Sequence, residues 1–268
     1  MLKIFAVAML VSLAGCKSVN TTQPGTVGVE RTQTMLVSPG TVNRSAEKAY
    51  AQVLAGAQRK GQLNRDAAQL QRVRTIANRL ISQTGAFRAD APGWKWEVNV
   101  ITSKDVNAWC MPGGKIAFYT GLIERLQATD EEIAAVMGHE IAHALREHGR
   151  ERASQAMAQG IGIAVVGAAL GVSGGGQDLT QLVLDLTFNM PNSRTDETEA
   201  DRIGVELAAR GGYDPRAAVT LWEKMQKESK SQPPLFLSTH PSHATRISDL
   251  KIYAAKVLPL YEAARAKP

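Results

Sequence analysis

Two helices are predicted near the start of the chain, at residues 45–59 and 64–84. In the second helix, apolar residues recur at helical spacing and would share one face. These residues are Leu70, Val73, Ile76, Ala77, Leu80 and Ile81. Asn64 is a candidate N-terminal cap of this helix, and Gly85 is a candidate stop signal.

An alternating pattern, typical of strands, follows the two helices. Residues 94–102 place every second large apolar side chain on one face. These side chains are Trp94, Trp96, Val98 and Val100. Residues 115–120 form a second predicted strand, after a Pro-Gly-Gly turn at 112–114. From Thr129 to about Leu258 the pattern is mostly helical again. The fold class predicted from these patterns is α+β, mainly α-helical.

The N-terminus is predicted to be a secretion signal. After the positive charge of Lys3, residues 4–13 form an apolar run, which is shorter than the ~20 residues that span a bilayer. Residues 1–15 therefore match a signal peptide. The Leu-Ala-Gly-Cys run ending at Cys16 resembles a bacterial lipobox, in which this cysteine is lipidated. The alternative is an ordinary signal peptide beside an incidental Cys16. In lipoproteins of this kind an aspartate after the cysteine retains the protein at the inner membrane, so Lys17 indicates sorting to the outer membrane.

Behind the signal, the chain is predicted to hold one globular domain. Residues 16–43 are rich in Ser, Thr, Gly, Pro and Val without a helical period, so they are predicted to be a flexible tether. The domain is predicted to span residues 44–258 and to be followed by a tail at 259–268. Cys110 is the one cysteine besides Cys16, so no intrachain disulfide is expected.

Positive charge is concentrated in the first half of the chain. The formal net charge is +6, and residues 44–88 carry nine Lys or Arg against Glu47 and Asp66. These residues form either a face turned toward anionic lipid or lipopolysaccharide or, as we favour, a solvated helix surface. Nucleic acid is not an expected partner, because secretion would place the chain in another compartment.

A two-histidine motif lies in the helical part of the chain. Thr129 and Glu132 match a capping box that begins a helix, and His139, Glu140 and His143 follow on that helix. Histidines four residues apart lie on one helix face, so both imidazoles can bind one metal ion. Glu140 is offset from them and can take a proton from a metal-activated water. A catalytic zinc ion with an open coordination position fits this arrangement.

A third protein ligand is expected in the acidic segment at residues 193–202. Glu197 and Asp201 are four residues apart on a predicted helix, so one can bind the metal while the other supports the site from behind. Spacing alone does not decide between Glu197 and Glu199 as the ligand.

The two motifs together resemble the zinc metallopeptidase family that includes HtpX, BepA, LoiP and the CAAX prenyl proteases. This family pairs His-Glu-x-x-His with a later Ser-Arg-x-x-Glu-x-x-Ala-Asp, which is found here at residues 193–201. Residues 106–116 resemble the family's strand pair beside the active site, and residues 238–246 resemble its late Thr-His-Pro segment. The resemblance covers about residues 45–255. Because the chain shows neither the transmembrane helices of HtpX nor the helical repeats of BepA, it is most similar to the compact LoiP-like lipoproteins.

The resemblance implies a zincin-type metallopeptidase domain with a small β-sheet beside the active-site helix. One zinc ion per chain would be held by His139, His143 and Glu197. Glu140 would deprotonate the attacking water, and Asp201 would assist catalysis. Asn107 and Arg246 are the predicted substrate-binding residues, with extended substrate pairing to the strand near Asn107. The alternative for Asn107 is a residue that only forms a turn.

The other two informative histidines are assigned by position. His148 follows His139 by two and a half turns on what is predicted to be the same helix, so it would point to the opposite face and lie at the surface. His240 precedes Pro241 in a predicted loop, where an extended backbone would bring its imidazole near the zinc. There it would either stabilise the tetrahedral intermediate or block the metal. In the remaining alternative it only packs the loop.

Residues 161–172 are apolar and rich in glycine, but this stretch is too short to span a membrane. It is predicted to be a core helix followed by a loop, with a mobile lid over the metal as the alternative.

The predicted function is that of a zinc-dependent endopeptidase of the cell envelope, anchored by lipid to the bacterial outer membrane and facing the periplasm. Its expected substrates are misfolded or damaged periplasmic and outer-membrane proteins. The alternative is a chaperone-like binding module for outer-membrane protein assembly that cleaves little.

Overall fold

The computed structural model describes residues 17–169, 178–229, 234–242 and 244–266. Its strands and helices in chain order are β1 (Lys17–Val19), β2 (Gln33–Met35), α1 (Pro39–Arg59), α2 (Ala67–Ile81), β3 (Glu97–Ile101), β4 (Ala108–Met111), β5 (Lys115–Tyr119), α3 (Thr120–Arg125), α4 (Asp130–Leu145), α5 (His148–Ala169), α6 (Leu179–Phe188), α7 (Arg194–Arg210), α8 (Ala217–Glu228), α9 (Phe236–Thr239) and α10 (Arg246–Arg265). The fold is thus α+β and mainly helical. The predicted signal peptide and Cys16 lie outside the described residues.

A three-stranded sheet carries helices on both of its faces. The strand order is β3-β5-β4, with β3 parallel and β4 antiparallel to β5. Side chains alternate between the two faces of a strand. On β4, Ala108 and Cys110 therefore join the core that includes α2 and α4, whereas Trp109 and Met111 pack with α1 and α6. β4 is an edge strand of this sheet, and it lies against α4.

Helix α4 is buried around its whole circumference. It packs against α2, α7, α8 and β4, and every residue from Glu132 to Leu145 is buried. The predicted capping box is confirmed, since the Thr129 hydroxyl accepts from the Glu132 N–H and the Glu132 carboxylate accepts from the Thr129 N–H. Burial on all sides leaves α4 no freedom to shift, which fixes any side chain that it directs into a site.

The first two helices begin at different residues from those predicted. α1 starts earlier, at Pro39, because the Ser38 hydroxyl accepts a hydrogen bond from the Thr41 N–H and caps it. α2 starts later, because Asp66 is its cap. Asn64 instead adopts a positive φ of 51° and accepts from the Val100 N–H of β3. Asparagine tolerates this left-handed backbone better than most residues, so its side chain joins the sheet.

The predicted flexible tether at 16–43 is wrong for the residues that the structure describes. β1 and β2 pair in an antiparallel ribbon, and buried Val27, Val29 and Met35 pack inward. Glu206 of α7 accepts a hydrogen bond from the Val27 N–H at 2.9 Å, which holds the turn before β2 against α7. The prediction failed because this segment is held by irregular turns and by side chains from distant helices, neither of which leaves a local period.

The predicted tail at 259–268 also needs correction, because α10 continues to Arg265 through Pro259. Leu260 and Tyr261 pack against the core, so this part of the chain belongs to the domain. Residues 161–169, the greater part of the apolar glycine-rich stretch, continue α5 as a helix, and 170–172 lie outside the described residues. Within the described ranges, none of the helices combines the length and hydropathy required to cross a membrane.

Candidate metal centre

Two glycines let α4 and α7 cross in direct backbone contact. A Cβ atom on Gly138 would stand 2.7 Å from the Gly204 carbonyl oxygen, and a Cβ on Gly204 would stand 2.6 Å from the His139 backbone nitrogen. Both distances are shorter than side-chain carbons tolerate, so only glycine permits this crossing. The crossing brings His139, on α4, against the α7 face that carries Glu197.

Four ligand atoms converge at this crossing, from His139, His143, Glu197 and His240. They all lie within 4.8 Å of one another, and all four residues are buried. The Nε2 atoms of His139 and His143 are 3.1 Å apart, and His143 Nε2 lies 3.3 Å from a Glu197 oxygen. His240 contributes Nδ1, which lies 2.9 Å from the same Glu197 oxygen.

The chemistry of this donor set fits a bound metal ion. Asp201 Oδ1 lies 2.9 Å from His139 Nδ1, which places the imidazole hydrogen on Nδ1 and leaves the Nε2 lone pair facing the cluster. Burial lowers the pKa of His139 to about 3, so this imidazole is neutral. Burial by itself would raise the pKa of Glu197, but the neighbouring His240 and His139 hold it well below its usual range. A buried carboxylate beside imidazole lone pairs is stabilised by a shared cation.

Arg246 lies behind the cluster, and its predicted role in substrate binding needs correction. Its side chain is fully buried, and its guanidinium donates to Glu197 Oε2 and to Asp201 Oδ1, each at 2.7 Å. The guanidinium carbon also sits 3.5 Å from the centroid of the Trp222 ring. Arg246 therefore neutralises and orients the two carboxylates of α7 from the protein interior, where substrate has no access.

Glu140 stands beside the cluster without joining it. Its Oε1 lies 3.3 Å from His240 Nε2 and accepts no hydrogen bond from the described residues. Burial raises the pKa of this carboxyl to about 8. A carboxyl group with a free oxygen, held next to a cluster of candidate metal ligands, is placed to exchange a proton with a water molecule there.

His240 lies at the cluster, as its position before Pro241 predicts. It follows the short helix α9, and its ring stacks on Phe236 with the centroids 4.1 Å apart and an interplanar angle of 15°. Nδ1 lies 3.2 Å from His139 Nε2 as well as 2.9 Å from Glu197. The imidazole thus occupies the place of a fourth ligand.

His148 is buried, and the prediction that it lies at the surface is wrong. α4 ends at Leu145 and α5 begins at His148. His139 and His143 therefore lie on one helix and His148 on the next. Glu147 has a positive φ of 53°, which turns the chain between the helices. Helical periodicity cannot be extrapolated across this break. His148 Nδ1 lies 2.9 Å from His143 Nδ1.

Glu199 faces away from the cluster. This bears on the choice between Glu197 and Glu199 as the third ligand, which spacing left open. One of its oxygens lies 3.1 Å from His148 Nε2, and the carboxylate also pairs with Arg146 and Arg31. Burial alone would raise the pKa of Glu199, but its hydrogen bonds with His148 and Arg31 lower it to about 2. Of the two candidate glutamates, Glu197 is the one whose carboxylate joins the cluster with His139, His143 and His240.

Residues 67–254 match the peptidase family M48. The chain belongs to peptidase family M48. One relative is the mitochondrial metalloendopeptidase OMA1 of Arabidopsis thaliana, which is 37% identical over 165 residues; these make up 62% of this chain and 33% of the relative. The mitochondrial metalloendopeptidase OMA1 of Bos taurus is 34% identical over 194 residues, which make up 67% of this chain and 37% of the relative. The beta-barrel assembly-enhancing protease of Escherichia coli is 27% identical over 200 residues, 71% of this chain and 40% of the relative. The chain thus spans less than half the length of these three relatives.

M48 peptidases depend on a metal, and the cluster of His139, His143, Glu197 and His240 is compatible with binding one. In this M48 chain the cluster opens onto a cleft. The residues that line it include Trp109, Cys110, Glu140, Leu186, Asn192 and His240. Asn192 donates to Glu197 Oε1 at 2.9 Å, so the turn before α7 also supports the acidic residue.

The edge strand of the M48 domain lies beside this cleft. Cys110, near the end of β4, lines the cleft together with Glu140 of α4. Asn107 immediately precedes β4 and is only 6% exposed. Its carbonyl oxygen accepts from the Tyr119 N–H of β5, so its backbone continues the sheet beyond the end of the strand. Its contact with substrate stays a prediction.

Proposed function

We propose that this protein is a zinc-dependent endopeptidase whose zinc ion is held by His139, His143 and Glu197. The observation that carries the proposal is the convergence of two imidazole Nε2 atoms and one carboxylate at a single buried point. Two histidines and a glutamate are a recurrent ligand set of catalytic zinc sites, where the fourth position is left for water or substrate. Glu197 comes from a different helix, so the ligands surround the point instead of lying along α4.

The proposed reaction is hydrolysis of a peptide bond. When bound, zinc polarises the scissile carbonyl and increases the acidity of the attacking water. In its ionised form, Glu140 accepts the proton of that water with its free oxygen and delivers it to the leaving amine. Asp201 and Arg246 hold the surrounding side chains, since the Asp201 carboxylate lies 2.9 Å from His139 Nδ1 and Arg246 donates to the carboxylates of Glu197 and Asp201. Asp201 thereby assists catalysis through His139.

Substrate would bind as an extended strand along β4. β4 pairs with β5 on one side only, so its other edge has backbone groups available for an added strand. Cys110 and Glu140 line the same cleft, which would place a peptide on this edge within reach of the general base. Asn107 precedes β4, where its amide would bond the peptide backbone.

The physiological setting is proposed from the sequence and from the relatives. The lipobox-like run ending at Cys16 supports a lipid anchor in the bacterial outer membrane, with the domain facing the periplasm. One group of relatives is named for beta-barrel assembly, which supports unfolded envelope proteins as substrates and a role in protein quality control.

The test uses the purified protein with an unfolded protein such as reduced casein as substrate. We expect close to one zinc per chain by elemental analysis, and cleavage that stops when zinc is chelated. E140Q should keep the zinc and lose cleavage, whereas E197A should lose the zinc as well. E131Q is the matched control and should resemble the wild type, because Glu131 lies on the first turn of the same helix and outside the cluster.

Two outcomes would contradict the proposal. The proposed metal site would be ruled out if the wild-type protein neither contains zinc nor gains activity when zinc is added. E140Q protein that still performs the biological role in full would favour a chaperone-like binding module over an endopeptidase.

A further inference from the structure

A buried chain of polar contacts runs from the cluster to the N-terminal segment. His143 Nδ1 lies 2.9 Å from His148 Nδ1, and His148 Nε2 lies 3.1 Å from Glu199 Oε2. Arg146 and Arg31 then donate to Glu199 at 2.9 and 2.7 Å. His148 is 1% exposed and Arg146 is fully buried. The hydrogen bonds of these buried members must therefore be satisfied internally, whereas the Arg31 side chain at the far end of the chain is 33% exposed.

The positions of the hydrogens along this chain follow from its charged end. Glu199 is an ionised acceptor between two guanidinium groups, so the His148 Nε2 that faces it carries a hydrogen. In a neutral imidazole the other nitrogen is then an acceptor. His148 Nδ1 thus accepts from His143 Nδ1, which leaves His143 Nε2 without a hydrogen and with its lone pair directed at the cluster.

The opposite arrangement is incompatible with a metal ion bound at the cluster. A hydrogen on His148 Nδ1 would force His143 Nδ1 to be the acceptor, and His143 Nε2 would then carry a hydrogen. That hydrogen would point at His139 Nε2 and at a Glu197 oxygen, 3.1 and 3.3 Å away, and it would prevent His143 from binding a metal ion.

We propose that His148 and Glu199 are a positioning pair that fixes the tautomer of His143 and thereby prepares its Nε2 for the metal. The proposal rests on the proposed function, because it assigns to His143 the role of a ligand. His139 and His143 would then be oriented by different partners, a carboxylate for His139 and a second imidazole for His143. Because Arg31 comes from the segment before β2, the ordered N-terminal segment also contributes to the geometry of the metal site.

The mutational test compares two amides that replace different nitrogens of the His148 ring. In H148N the side-chain oxygen takes the place of Nδ1 and can still accept from His143. In H148Q the amide takes the place of Nε2 and cannot. We expect H148Q to bind zinc about 10- to 100-fold more weakly than the wild type, as is typical when the outer partner of a metal-binding histidine is lost. H148N should retain most of the affinity.

Zinc affinity would be measured by competition with a chromophoric chelator, and the coordination geometry by the absorption spectrum of the Co²⁺-substituted protein. Equal zinc affinity in H148N and H148Q, whether retained or lost in both, would overturn the proposal. Wild-type protein that binds no zinc would instead overturn the proposed function, so the two failures are distinguishable.

A second measurement needs no substitution. Nitrogen NMR of the metal-free wild-type protein, labelled at its histidines, reports which ring nitrogen carries the hydrogen. We expect the hydrogen of His143 on Nδ1 and that of His148 on Nε2. A hydrogen found on His143 Nε2 would overturn the proposal even if both variants failed to fold.

Discussion

The Gly204 carbonyl oxygen lies 2.7 Å from the point where a side chain on Gly138 would begin. This contact sets the distance between α4 and α7, and those two helices carry His139, His143 and Glu197. Any widening of the crossing would therefore separate the histidine nitrogens from the carboxylate. The metal site thus depends on the absence of two side chains as much as on the presence of its ligands.

We predict that G204A destabilises the fold and weakens metal binding. Overpacking a close contact typically costs about 1–3 kcal/mol, and here the nearest atoms are backbone atoms of α4 that cannot rotate away. Denaturant unfolding and zinc affinity would both be measured. G56A is the matched control, since Gly56 is a helical glycine with open space around it, and alanine there should stabilise by about 0.5–1 kcal/mol. A G204A protein as stable as the wild type would contradict this account of the crossing.

Replacement of Arg246 should lower the free energy of unfolding more than it changes the binding of substrate. R246L leaves Glu197 and Asp201 without their buried positive partner, and breaking such a pair costs about 3–5 kcal/mol. We expect metal-free R246L to unfold at clearly lower denaturant concentration than the metal-free wild type. R246K, which keeps the charge but not the two-pronged geometry, should lie between them. If R246L kept full stability and only raised KM, the result would contradict this account and support a role of Arg246 in substrate binding.

His240 is expected to restrain the enzyme. Its Nδ1 already lies 3.2 Å from His139 Nε2 and 2.9 Å from Glu197, in the fourth position that the proposed mechanism leaves for water. We therefore predict that H240A raises the turnover of unfolded protein while zinc stays bound. Turnover and zinc content would be measured on the same preparation. Lower turnover with zinc retained would indicate that His240 stabilises the transition state, and unchanged turnover would leave only packing on Phe236.

The membrane anchor is tested independently of the active site. C16S should not be lipidated and should no longer partition with membranes, because the lipobox-like run depends on that cysteine. The measurement is the distribution of the protein between soluble and membrane fractions, with the unpaired Cys110 replaced by serine as the control. A C16S protein that remains firmly in the membrane fraction would show that another element anchors the chain.

Local sequence was sufficient for the centre of the fold and for most of the site. The cap of α4, the spacing of His139 and His143 and the spacing of Glu197 and Asp201 each depend on residues within a turn or two of each other. Helix geometry alone converts such spacing into a shared face. The same holds for β5, whose start follows from the glycine turn before it.

The tertiary structure decided the features that depend on distant contacts. His148 became a partner of His143 because a positive φ at Glu147 breaks the helix between them, and no periodic pattern shows such a break. Arg246 reached the interior because α10 packs on α7. The N-terminal segment is ordered because α7, far along the chain, binds Arg31 through Glu199 and the Val27 backbone through Glu206. These last two contacts join residues 168 and 179 positions apart, so they arise only when the chain is folded.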